Sequence, residues 1–518
     1  MLKTTMLETY LWVGLGLFLL VVLGLAYLGW TQTHNMSDFA IASETLGPYT
    51  LGAAFAATFF SAATFVGYVG WSYDYGLSNL WLFLTLIGAS PIALVLFAKR
   101  VREINVVQGS LSLPDWLGAF YGSQFVRVWA GIAVMFNVFY IAAQLDAGAL
   151  FFTVLLGFDQ TTALVIITSL VVFYVIAGAT YADVYTDAIQ AVLMAIMGII
   201  VFVSGFWIFG TGPVEMFDFL GTELESQDPT LVEPINENSA IYYSGFAILS
   251  IFILQFAFSA QPQLFNKVLA LDDPRNLRKM IGTYLVLTIC FLLTFFGGYY
   301  MFALDQGLEV ADEAIFIYTM EYMPAIIAAF LGLVILAAAL STTDGLFIVL
   351  STAIANDIFL KYLVEEEYVD MDEDRADVFS RYLAQASVLA IGAVSFAIAL
   401  TAPWNIGELI WIGISGVAAA TVPPVMLGIY FPNFVTRIGA QVSMVVGVFG
   451  YIVIHFTAST PSVFVRGTYA LLLATAVMIV VSALTEQEDG VAQMDDSAIT
   501  DERGAQLEEQ TDATLGGD

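Results

Sequence analysis

Charge is scarce in this chain, and cysteine and histidine are nearly absent. Only 12% of its 518 residues are charged, against about 25% in an average globular domain. A single cysteine, Cys290, excludes an intrachain disulfide. Two histidines, His34 and His455, without a His/Cys cluster, leave no transition-metal site. No nucleophile–base pair or metal constellation appears, so the chain is not expected to be an enzyme. Lysine and arginine number 15 against 46 acids, for a net charge of −31. Such a balance argues against nucleic acid or anionic lipid as a partner. The acid gathers in loops and in the tail, at Glu365 to Glu367, Asp370 to Asp374, Glu223 to Glu237 and from Glu486 onward. That surface fits a salt-loving source, a halophile, in which acidic side chains hold hydration.

Apolar residues are what the chain has in excess, at 59%. They fall into thirteen segments, near 8–30, 47–75, 79–98, 126–157, 160–178, 183–210, 240–261, 280–303, 323–357, 380–400, 404–431, 437–458 and 466–485. A helical span needs ~20 apolar residues. The fold class is therefore all-α, a polytopic membrane protein of about thirteen transmembrane helices. The first run, Leu11 to Trp30, lacks a basic leader and a small-residue cleavage site, and is taken as a retained helix.

The basic residues set the orientation. With the N-terminus outside, the cytoplasmic side receives Lys99, Arg100, Arg102, Arg127, Lys267, Arg275, Arg278, Lys279, Lys361, Arg375, Arg381, Arg437 and Arg503, and only Lys3 and Arg466 fall outside. The positive-inside rule then supports thirteen spans with the N-terminus out and the C-terminus in, and the chain is expected in the plasma membrane. On this count no lysine lies mid-membrane. The tail, 487–518, is acidic and lacks aromatic residues, and is expected to be disordered.

Two segments look like broken helices, where transporters place their sites. Leu51 to Gly70, LGAAFAATFFSAATFVGYVG, is rich in Gly, Ala, Ser and Thr. Small residues also serve helix packing. In Leu254 to Leu264, LQFAFSAQPQL, Pro262 removes a backbone donor and clashes with the preceding turn. Four spans separate the two segments, the spacing of an inverted repeat.

A third segment, Ala337 to Gly345, reads AAALSTTDG. Ser341 and Thr342 offer adjacent hydroxyls, and Ala338 a carbonyl one turn earlier. These are hard oxygen ligands suited to an alkali ion. Back-bonding to the helix is the ordinary alternative for such hydroxyls. Asp146, Asp183, Asp187, Asp344, Asp357 and Glu408 are the acids in or near spans. Such acids usually face a cavity or a partner. Asp344 sits deepest and is assigned to the ion path. Gln144 partners Asp146 in sequence, and Asp187 and Asp357 lie near helix ends.

At these residues the chain resembles the sodium:solute symporter family, whose proline, sugar and sialic-acid carriers share the LeuT fold. The resemblance covers roughly residues 35 to 460. It rests on SAATFVGYVGWSYDYGLS (61–78), GATYADVYTDAIQ (178–190), SAQPQLFNKVLALDDPRNLRK (259–279) and LAAALSTTDGLFIVLSTAIANDIF (336–359). It implies a five-plus-five inverted-repeat core with one helix before and two after. The corresponding divisions are an N-terminal helix and loop (1–46), a ten-helix core (47–431), two C-terminal helices (432–486) and the tail (487–518).

The resemblance also implies a sodium site made by the carbonyls of Ala57, Phe60 and Ala338 and the hydroxyls of Ser341 and Thr342. Asp187 matches a position on the inward ion-release path. Tyr140 stands where proline carriers have a tyrosine. Leu254 and Phe258 replace an aromatic pair, which speaks against proline itself. Ser61, Trp71, Gln144, Gln255 and Gln261 complete the candidate solute groups. The implied activity is sodium-coupled symport of a small organic solute, an amino acid or a monocarboxylate, with a monomer as the functional unit. Proton coupling through Asp344 or Asp187 and a non-transport membrane subunit remain the alternatives.

Overall fold

A computed structural model describes residues 2–32, 36–41, 46–210, 212–402 and 405–486. His34 and the acidic tail, 487–518, lie outside the described residues. Among the described residues the chain is helical, with one isolated bridge between Leu46 and Leu271 as its only extended pairing. Helices satisfy their own backbone groups, which is the condition for crossing lipid. Where they start, side chains cap them: Ser112, Ser123, Asp159, Ser244, Asn405, Thr436 and Ser462 each accept from a first-turn N–H.

Among the described residues, ten helices are long and apolar enough to cross a membrane, or eleven with the bent pair Gly245–Phe258 and Pro262–Leu269. Two of the thirteen apolar segments fall outside that number. The helix Pro48–Phe59 has only 12 residues before its break, and Gln160–Ile176 is shorter than a span. The latter opens one helical run, Gln160–Phe209, of 50 residues. At 1.5 Å per residue a straight helix of that size is about 75 Å long, over twice the hydrocarbon thickness.

The two broken helices form as their sequences predict. In the first, Pro48–Phe59 stops at Phe60, whose φ of −99° and ψ of 89° leave the helical region. A π-turn, Thr64–Tyr68, and the helix Val69–Tyr75 follow. In the second, Gly245–Phe258 and Pro262–Leu269 meet at a 42° bend across Ser259 to Gln261. Pro262 sits in the first turn of the second half, where its missing N–H costs nothing.

Helices approach closely through small residues. A Cβ on Gly52 would lie 2.6 Å from the Met280 carbonyl, and one on Gly198 1.9 Å from that of Cys290. The first broken helix packs on Gln160–Phe209, on Leu277–Leu292 and on Ala325–Thr352. Ala325–Thr352 is buried along most of its length. The N-terminal helix Leu2–Gln32 lies outside this core and exposes Trp12, Leu17, Leu20 and Trp30. The helices Arg437–Thr457 and Val463–Leu484 pair with each other and with Ile406–Tyr430.

Candidate functional site

The first broken helix and Ala325–Thr352 meet at their hydroxyl-bearing turns. Ser341 Oγ donates to the Ala57 carbonyl at 3.3 Å and lies 3.1 Å from the Ala338 carbonyl. Thr342 Oγ1 donates to the Thr58 carbonyl at 3.2 Å. All of these residues are fully buried. Phe60 terminates the helix two residues beyond Thr58, so its carbonyl leaves the helical ladder at the same place. Three of the five predicted ion ligands, Ala57, Ala338 and Ser341, are thus in direct contact, and Thr342 reaches the neighbouring carbonyl of Thr58. Phe60 sits at the break beside them. Thr58 is the member that sequence reasoning missed.

Below this oxygen cluster lies a second one. Thr58 Oγ1 donates to Asp187 Oδ2 at 2.8 Å. Lys267 Nζ donates to the same oxygen at 2.8 Å and to Asp183 Oδ2 at 2.7 Å. Asp344 accepts from the Gly345 N–H at 2.9 Å, and its Oδ2 has no partner. Carboxylate oxygens of Asp183, Asp187 and Asp344 lie within 4.8 Å of one another. Asp183 and Asp187 are one helical turn apart, so their side chains share a face.

Lys267 corrects the sequence picture. The charge count puts it in the water-facing set with no lysine inside the bundle. The structure buries it, at 3% exposure, on the second half of the second broken helix. Two carboxylates cover the cost of removing its charge from water. Arg102 and Arg127 are likewise buried rather than solvated, and Arg127 pairs with Asp115 at 3.2 Å.

The solute candidates line the other side of the first break. Gln144 Nε2 donates to Ser61 Oγ at 3.0 Å. Gln144 therefore does not partner Asp146, which accepts from Gln160 at 2.6 Å instead. Gln261 Nε2 donates to the Ile414 carbonyl at 3.0 Å. An aromatic wall surrounds them. Tyr68 and Trp71 stack with centroids 5.1 Å apart, and Trp411 donates to the Tyr68 hydroxyl at 3.1 Å. Phe258 packs against Tyr140, Phe59 and Trp411. Trp71 also packs edge-on against Phe464 and lies against Gly407.

Several buried amide atoms here have no partner of hydrogen-bond geometry: both of Gln255, Oε1 of Gln144 and Oε1 of Gln261. Buried polar groups are normally satisfied. These amides leave one donor and three acceptors, within one aromatic-walled region, with which a polar ligand could bond. No charged side chain belongs to this set. Tyr68 and Trp411 also escaped the sequence reading: Tyr68 lies in the first broken segment but looks like an ordinary packing aromatic, and Trp411 lies in a span with no break signal.

The remaining intramembrane acids lie elsewhere. Asp357 accepts from Ser112 at 2.8 Å and from Asn356 at 2.7 Å, in a network near Asp115 and Arg127. Glu408 occupies the first turn of Ile406–Tyr430, favourably placed for the helix dipole.

Comparisons with known proteins identify the family and the fold. The model of the sodium:solute symporter family matches residues 39–447. The high-affinity proline transporter of Bacillus subtilis is 26% identical over 436 residues, covering 82% of this chain and 87% of that one. The sodium/pantothenate symporter of Haemophilus influenzae is 28% identical over 442 residues, covering 83% and 86%. A sodium/proline symporter of Staphylococcus aureus is 25% identical over 514 residues, covering 95% and 96%. Among solved structures, a substrate-bound, outward-open sodium-coupled sialic acid symporter superimposes with a TM-score of 0.74 at 17% identity, over 94% of this chain and 98% of that one. A nucleobase-cation-symport-1 family transporter in a closed conformation gives 0.56 at 13% identity.

Proposed function

Since this chain belongs to the sodium:solute symporter family, and is a multi-pass membrane transporter coupling a small organic solute to sodium on a LeuT-like fold, we propose that its sodium ion is held by Ala57, Phe60, Ala338, Ser341 and Thr342. It is a transporter, not an enzyme. The observation that carries the assignment is the meeting of the Ser341 and Thr342 hydroxyls with the carbonyls of Ala57 and Thr58. Each hydroxyl uses a carbonyl that a sodium ion would share, so an ion inserted there replaces weak neutral bonds with ion–oxygen contacts. It would clamp the first broken helix to Ala325–Thr352.

The solute site we assign to Ser61, Tyr140, Gln144, Gln255, Phe258 and Gln261, with Tyr68, Trp71 and Trp411 as its wall. Proline, pantothenate and sialic acid all carry a carboxylate. Gln255 Nε2 is a free donor suited to such a group, and the free oxygens of Gln144, Gln255 and Gln261 accept from the N–H or O–H groups of a solute; none carries a charge that would repel the neighbouring ion. An amino acid or a monocarboxylate is therefore the favoured class. Phe258 and Leu254 in place of a polar aromatic pair speak against proline itself.

The protein sits in the plasma membrane, with its N-terminus outside, its C-terminus in the cytoplasm and lipid around a functional monomer. Residues 47–431 form the transport core, flanked by 1–46, 432–486 and the tail. Sodium and solute enter from outside, and the ion leaves past Asp344 and Asp187. A 100 mV potential supplies about 2.3 kcal/mol for one sodium charge, or roughly 40-fold accumulation. The test is uptake into proteoliposomes of labelled proline, other amino acids, acetate, lactate, pyruvate, pantothenate and glucose, with a sodium gradient and separately a proton gradient. Uptake driven by sodium for one carboxylate class supports the assignment. Uptake driven by protons alone would overturn the ion.

A further inference from the structure

The three-carboxylate cluster beneath the proposed sodium site already holds a cation, and it belongs to the protein. Lys267 Nζ lies 2.7 Å from Asp183 Oδ2 and 2.8 Å from Asp187 Oδ2. The cluster keeps unused capacity: Asp183 Oδ1, Asp187 Oδ1 and Asp344 Oδ2 are buried without partners. Thr58 joins this cluster to the sodium site, because its carbonyl accepts from Thr342 and its hydroxyl donates to Asp187.

A small cavity supplies the second observation. It measures about 20 Å³ and is lined by Asp183, Gln263, Asn266, Lys267 and Gly345 among others. That volume holds one water-sized group. The side-chain amides of Gln263 and Asn266, both at least nine-tenths buried, have no partner on any atom. Their oxygens can accept an ammonium group that moves off Asp187.

We propose that Asp183, Asp187 and Asp344 form an internal cation site occupied in turn by the Lys267 ammonium and by the transported sodium ion, with the Gln263–Asn266 cavity as the resting place of the displaced ammonium. This rests on the assignment of Asp187 and Asp344 to the ion's way out. A tethered competitor has a definite effect. It offsets one negative charge of the buried cluster while the carrier is empty, and it weakens the cluster's hold on sodium, so the ion is released rather than trapped. The hydroxyl and carbonyl site above, which carries no charge, then sets sodium affinity.

The experiment uses purified full-length protein and sodium chloride alone, with potassium and choline chlorides as controls. The reading is the sodium concentration for half of the maximal rise in unfolding temperature. In Lys267→Met the competitor is gone, and that concentration should fall about tenfold. In Asn266→Leu, which fills the cavity and leaves every charge in place, it should rise several-fold. A purely structural lysine predicts a lower unfolding temperature in Lys267→Met with the sodium midpoint unmoved, and that result would overturn the proposal. If Lys267→Met does not fold, Asn266→Leu decides, and an unmoved or lowered midpoint there overturns it. A wild-type response equal in sodium, potassium and choline would sink the sodium assignment itself. A sodium-specific wild type with unmoved variants would sink only the competition.

Discussion

Thr58 and Asp187, 129 positions apart in the chain, are joined by a 2.8 Å hydrogen bond from the Thr58 hydroxyl to the Asp187 carboxylate. The carbonyl of the same threonine receives the Thr342 hydroxyl. Thr58 therefore ties together the helix that ends at the first break, the helix Ala325–Thr352 and the long helix Gln160–Phe209. Any movement of one of these elements is felt at both oxygen clusters. Two measurable consequences come from the residues at this junction, a third from the carboxylate of Asp312 and a fourth from Gln255 on the solute side of the break.

Thr342→Ala removes a hydroxyl that the ion would use and leaves the helix intact. The sodium needed for half-maximal uptake should rise ~tenfold, the equivalent of about 1.4 kcal/mol. Thr342→Ser keeps the oxygen and should remain within about threefold of wild type. Sodium-dependence curves in proteoliposomes check both. A Thr342→Ala curve that overlays the wild type would remove Thr342 from the ion site.

Thr58→Val keeps shape and carbonyl but deletes the donor to Asp187. A buried carboxylate oxygen that loses one of its two donors should cost about 1–3 kcal/mol of stability. The sodium midpoint should move less than in Thr342→Ala, because the ion-facing carbonyl survives. Thermal unfolding and sodium titration on the same preparation separate the two effects.

Much of this interior is legible in the chain, and the rest is hidden for a physical reason. Hydropathy finds the spans, since lipid demands long apolar runs wherever the helix crosses. Pro262 and the small residues around Phe60 announce the two breaks, and the adjacent hydroxyls of Ser341 and Thr342 announce the ion turn. The Asp183–Lys267 pair is different, because its partners are 84 positions apart. A lysine near a helix end looks solvated until its carboxylates are placed. The i, i+4 spacing of Asp183 and Asp187 was the available clue that one face needed a cation. Gln144 beside Asp146 misleads in the opposite sense. Residues two apart on a helix do not face each other, and the structure sends Gln144 to Ser61 and Asp146 to Gln160.

Asp312, in the loop before Ala314–Tyr322, gives a pH signature. Burial pushes its carboxyl up to about 7, opposed by a backbone hydrogen bond from Ile406 and reinforced by the charges of Asp146, Asp74 and Glu313. Its carboxylate oxygen lies against Gly70 of the first broken helix, 3.1 Å from where a Cβ would be. With the folded-state value above the unfolded one, the native state binds the extra proton between about pH 4 and pH 7. Stability should be greatest below that window and fall as pH rises through it. The loss is on the order of 1–2 kcal/mol after allowance for partial solvent screening. Asp312→Asn should flatten the dependence. Unfolding temperatures of wild type and variant at pH 5 and pH 7.5 test this, and a wild type that is more stable at the higher pH would refute the sign.

Gln255 separates a ligand-binding role from a packing one. Both of its amide atoms are buried without a hydrogen-bond partner, although the Tyr68 hydroxyl is near. A residue kept for stability alone would not leave an amide unsatisfied, since that costs about 1–3 kcal/mol. Gln255→Leu has nearly the same volume and removes the unsatisfied group. If the amide exists to hold solute, the variant should unfold at the same or a higher temperature than wild type. Its solute concentration for half-maximal uptake should rise ~tenfold with the sodium dependence unchanged. Uptake at saturating solute then reports whether the amide acts in binding alone or also during the conformational step. A variant that is destabilised but keeps its solute affinity would place Gln255 in the packing of the second broken helix and return the solute to the Ser61–Gln144 side of the break.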